Sequence, residues 1–86
     1  MNQEVYIVLS HIENTYQNEF IGIFSDTEKA INFCNELIAS AGASLDYSKI
    51  TIHPISLDES FDYSFSEKIL ISFVKNSVTG ILEKAN

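Results

Sequence analysis

The run EVYIVLS at residues 4–10 is the feature that most limits the folds open to this chain. From Val5 to Leu9 every residue is apolar, and all but Leu9 are β-branched or aromatic. No alternation marks one side as wet, so the run predicts a strand buried on both faces, hence an interior strand of a sheet. It is far shorter than the ~20 apolar residues of a membrane span.

The residues that follow build around that strand. Residues 11–19 (HIENTYQNE) are polar and turn-prone and predict a loop. FIGIF at 20–24 predicts a second strand, antiparallel to the first because only a loop joins them, and Gly22 within it signals a bulge or a close approach. Ser25-Asp26-Thr27-Glu28 has the form of a capping box, with Ser25 as the cap. Ala30, Ile31, Cys34, Leu37, Ile38 and Ala41 then recur at helical spacing, and Gly42 suits the position after a helix end. After a loop at 43–48, KITIHPISL predicts a third strand. Its phase changes near His53-Pro54, and proline cannot donate to a ladder, so an edge position or a bulge is expected there.

Beyond Leu57 the pattern is open to more than one reading. Phe61, Tyr63 and Phe65 alternate with Asp62 and Ser64, as in a short fourth strand or a loop pinned by aromatics. From Lys68 onward, Leu70, Phe73, Val74, Val78, Ile81 and Leu82 fall on one helical face, which favours a second helix. The rival is a hairpin turning at Asn76-Ser77, favoured by the many β-branched residues and Gly80. The expected fold is one α+β domain, a two-layer sandwich. Its mainly antiparallel sheet has three or four strands, the element order is β-β-α-β-(β)-α, and the helices lie on one face. Strand order 2-1-3 puts the most apolar strand in the middle.

Three segments carry a resemblance: VYIVLSH at 5–11, FIGIFS at 20–25 and EKA at 28–30. Together they resemble a family of short, uncharacterised bacterial and phage proteins that read strand, polar loop, strand, helix. The likeness spans roughly residues 5–58. The chain departs from it in a helix-to-strand loop that is not Pro/Gly-rich and in the residues from Ser66 onward. What the resemblance implies is the fold, with no activity attached.

Charge narrows function mainly by exclusion. Twelve acidic residues face five basic ones, all lysine, for a net charge of −7. Nucleic acids and anionic membranes need a cationic footprint, so neither is an expected direct partner. The lone cysteine permits no internal disulfide, and the first basic residue is Lys29, so no leader sequence is evident. A cytoplasmic location is the expectation.

No cofactor or metal is expected, because His11, Cys34 and His53 are not at ligand spacing. Cys34 lies in the apolar helical stripe, where cysteine acts as a small hydrophobe. Three scattered glycines cannot form a phosphate-binding loop. The chain therefore reads as a non-catalytic protein-interaction module, not an enzyme. Its expected contact residues are Asp58, Glu59, Phe61, Asp62, Tyr63 and Glu67, aromatic anchors in an acidic rim for a partner with a basic surface. One alternative is an acidic inhibitor, of the phage anti-defence or toxin-immunity type, that occupies the basic groove of a nucleic-acid enzyme. Another is a small enzyme or ligand binder using His11 and His53, neighbours if strands one and three pair. A homodimer would follow if a C-terminal helix left its apolar face uncovered.

Overall fold

A computed structural model describes residues 4–56 and 68–85. Among the described residues five strands and one long helix follow in the order β1 (Glu4–Ile12), β2 (Asn18–Phe24), α1 (Thr27–Ala41), β3 (Tyr47–Ser56), β4 (Ile71–Lys75) and β5 (Leu82–Lys84), with a short 3-10 turn at Gly42–Ser44. The strands form one sheet in the order β2-β1-β3-β4-β5, and every neighbouring pair is antiparallel. The expected 2-1-3 core is present, and β1 is interior as its composition demands.

The long helix covers one face of this sheet. Val8, Ile50, Ile52, Phe73 and Leu82 are buried there with Ala30 and Cys34 of α1. The helix is capped by Asp26, not Ser25: the Asp26 carboxylate accepts from the Lys29 amide at 2.8 Å. Asp26 is extended and directly precedes the helix, while Ser25 stands one residue further out, so the Asp26 carboxylate is the group that reaches the orphan amide. Gly42 ends α1 at φ +55°, its amide donating to the Ile38 carbonyl.

Gly22 marks a bulge, as its position in the strand predicts. Leu9 pairs with Phe20 and Val8 with Gly22, so Ile21 is the extra residue. A Cβ on Gly22 would stand 2.7 Å from the Phe24 ring, so the close approach is by a side chain. Phe24 in turn packs on Phe33 of α1, ring centroids 5.2 Å apart.

Pro54 lies in an interior strand, contrary to the expected edge, but its register explains the tolerance. The pairing of β3 with β1 runs without a break from Ser56 to Lys49, and its only irregularity falls at His11/Ile12. The Ile52 carbonyl accepts from the Leu70 amide at 2.9 Å on the β4 side, and β4 pairs no further than Ile52. Two residues on, Pro54 presents its missing donor to that same side, where no described strand follows. The phase change at 53–54 is therefore a change of face, with Ile55 buried on the side away from α1.

The second helix expected from Lys68 onward is absent, and with it the argument for a dimer through its apolar face. The segment is the β4–β5 hairpin instead. Asn76 decides the turn: its Oδ1 accepts from the amides of Val78 (2.8 Å) and Thr79 (3.2 Å), and its carbonyl from Gly80 (2.8 Å). Gly80 sits at φ +73°, a conformation that costs glycine nothing. Ile71, Ser72, Phe73 and Val74 then pair with β3, where β-branched side chains lose less than in a helix. The fourth strand considered at 58–67 lies outside the described residues.

Candidate functional site

The six residues expected to bind a partner, Asp58, Glu59, Phe61, Asp62, Tyr63 and Glu67, all lie outside the described residues. The site is therefore built from the rest of the chain, where three features have the geometry to act.

The first is a row of polar side chains on the sheet face away from α1. Antiparallel register sets Ile7 beside His53, Leu9 beside Thr51 and His11 beside Lys49. Thr51 Oγ1 lies 2.7 Å from His53 Nε2 and 3.2 Å from His11 Nε2. His53 Nδ1 lies 3.2 Å from the Lys68 carbonyl. A carbonyl only accepts, so Nδ1 carries a proton; in the neutral ring Nε2 then accepts from the Thr51 hydroxyl. That hydroxyl in turn accepts from His11 Nε2. The histidines do come together, as the pairing of strands one and three requires, with a threonine between them.

This row resembles a hydroxyl nucleophile with an oriented base, but access is missing. Thr51 is fully buried and His53 is 2% exposed. A reactant cannot reach a buried hydroxyl, so the geometry serves to satisfy buried polar groups. His11, at the open end, has its pKa lowered from the ordinary 6.5, first by burial and then by Lys49, while a hydrogen bond with Asn18 acts the other way. Cys34 is fully buried, and burial pushes its thiol up to about 11, so it is inert as its place in the stripe predicts. Among the described residues no cluster of His, Cys, Asp and Glu could hold a metal ion.

The second feature is the outer face of edge strand β2. Phe20 pairs with Leu9 and Ile23 with Ile7, so both side chains share the face away from α1. Plain alternation would place residues three apart on opposite faces; the bulge at Ile21 brings these two together. Phe20 is 56% and Ile23 54% exposed. The sequence shows both residues but not their shared face, because only the bulge creates it.

The third is an open cleft of about 340 Å³ at the end of the sheet, lined by Ile12, Glu19, Ser44, Leu45, Asp46 and Tyr47. The bulge at His11/Ile12 sets Tyr47 opposite Ile12. The Tyr47 hydroxyl donates to Glu19 Oε2 at 3.5 Å. Next to the cleft, Lys75 is taken by Glu13 at 2.9 Å and by the Leu45 carbonyl at 3.3 Å. Among the described residues no cation lies within ion-pair distance of Glu19 or Asp46.

Comparison of the chain with protein-family models, with curated proteins and with solved structures finds no match. Among the described residues no helix is long and apolar enough to cross a membrane.

Proposed function

We propose that this chain is a non-catalytic protein-interaction module whose partner presents a basic surface. The observation that carries it is the pair Phe20 and Ile23, each more than half exposed on the outermost of the described strands in a chain of net charge −7. Exposed aromatic and aliphatic residues that share one face supply anchoring area, and a field of one sign steers an oppositely charged partner. Asp58, Glu59, Phe61, Asp62, Tyr63 and Glu67 belong to the same reading through their composition. The burial of Thr51 and His53 favours binding over catalysis.

The test is capture from the native host's extract at low and at high salt, with the wild-type chain beside the double variant Phe20→Ser/Ile23→Ser and the triple variant Asp58→Lys/Glu59→Lys/Asp62→Lys. A specific partner should be retained at low salt, released at high salt and lost with at least one variant. Retention indifferent to salt and to both variants would remove the reading.

A further inference from the structure

We infer that β2 is a docking edge that accepts an extended, lysine- or arginine-bearing segment of a partner protein as a sixth strand of the sheet. The inference rests on the interaction reading above and specifies its geometry. β2 is the outermost strand, hydrogen-bonded on one side to β1, and no described segment pairs with its other side. An unpaired strand edge is a template for another strand, and natural proteins blunt such edges with lysine, proline, brevity or a bulge. The two edges differ in this respect. β5 is three residues long and carries Glu83 and Lys84. β2 is seven residues long, contains neither lysine nor proline, and is interrupted only at Ile21.

The side chains beside that edge select the occupant. Strand residues alternate between faces, so an added strand lays alternate side chains on the two sides of β2. On the outer side they meet Phe20 and Ile23, which want apolar neighbours. On the side of α1 they meet Glu19, an exposed carboxylate of β2 with no cation within ion-pair distance among the described residues. That carboxylate, in a chain of net charge −7, suits the head of a lysine or arginine whose aliphatic stem lies along the strand. A second copy of this chain does not meet the requirement through β2, because NEFIGIF contains no cation and brings a further Glu19.

The experiment uses the full chain, isotopically labelled, titrated with an alternating lysine–valine heptapeptide and separately with its glutamate–valine counterpart. The lysine peptide should shift the amide resonances of residues 18–24, slow their hydrogen exchange and bind less tightly as salt rises. Glu19→Gln should weaken it about twofold to fivefold, the range for one exposed ion pair. Equal binding of the glutamate peptide, shifts confined to β5 or the outer faces of β3 and β4, or dimerisation of the free chain through residues 18–24 would each overturn the docking mode. If the lysine peptide leaves β2 untouched while a host partner is still captured, the docking mode falls and the interaction reading stands. If neither binds, both fall.

Discussion

On the helix side of the sheet, Val8, Ile50, Ile52 and Phe73 are buried against Ala30 and Cys34 with no described hydrogen bond among their side chains. On the outer side, Ile7, Leu9 and Ile55 are buried beside the row His11, Thr51 and His53, whose polar atoms bond to one another. The strands β1 and β3 contribute to both faces, so the difference lies in the neighbours. The helix side gains stability from close packing, where loss of volume is felt directly. The outer side combines burial with a network that is cheap when complete and costly when one member is missing. At its β2 margin Phe20 and Ile23 stand exposed, and there the binding surface is proposed.

Substitutions can break this contrast. The largest effect is expected at Phe73, which is 1% exposed and joins the hairpin to the helix-side core. Phe73→Ala should cost about 3–5 kcal/mol in denaturant unfolding, enough to test whether the hairpin is integral to the fold. A loss below about 1 kcal/mol would mean that β4 contributes little to it.

Thr51→Val keeps the shape and removes the hydroxyl on which both histidines converge. It should cost about 1–3 kcal/mol, because the buried His53 Nε2 loses the Thr51 hydroxyl that stands 2.7 Å from it. A neutral result would show that the outer face is held by apolar packing alone, as the helix side is.

Gly22→Ala probes the bulge that separates the two faces on β2. The added Cβ meets the Phe24 ring at 2.7 Å, and that ring is wedged against Phe33. About 1–3 kcal/mol of destabilisation is expected, with a shifted Phe24 environment visible in side-chain spectra. Unchanged stability and spectra would mean that the ring swings aside freely.

A smaller effect is expected from pH. The pKa of His11 is lowered in the folded chain, first by burial and then by Lys49, with Asn18 opposing. The unfolded chain therefore takes the proton first. The contribution of His11 is fully present above the ordinary 6.5 and is lost as pH falls toward the lower folded value. Unfolding measured across that window should show a slope that His11→Gln flattens, and a slope of opposite sign would contradict the assignment.

The smallest effect on stability belongs to the residues most prominent for binding. Phe20→Ser with Ile23→Ser should change unfolding by no more than about 1 kcal/mol, about 0.5 for each surface position. Equal losses of stability and of binding would mark the pair as structural.

Several elements were legible in the residues alone. The strand at 4–10 follows from its unbroken apolar run, and α1 from a 3.6-residue stripe with Gly42 at its end. The inert Cys34 follows from its place in that stripe. The C-terminal hairpin was less legible, because Leu70, Phe73, Val74, Val78, Ile81 and Leu82 also match a helical period. Periodicity measures which residues want burial, and two geometries can satisfy the same set. Asn76 capping its own turn and the open edge of β3 at 49–52 favour the strands, and only the second of these is tertiary.

The candidate surface depends still more on tertiary structure. The sequence by itself determined an acidic α+β chain with an interior first strand, an amphipathic helix running up to Gly42 and no phosphate-binding loop, because those properties are local or compositional. The tertiary structure decided which residues share a face: the bulge at Ile21 that unites Phe20 with Ile23, the register that links His11 to His53 through Thr51, and the strand end that sets Tyr47 beside Glu19. A shift of one residue in pairing sends a side chain to the opposite side of a sheet, and such shifts are settled by contacts between strands far apart in sequence.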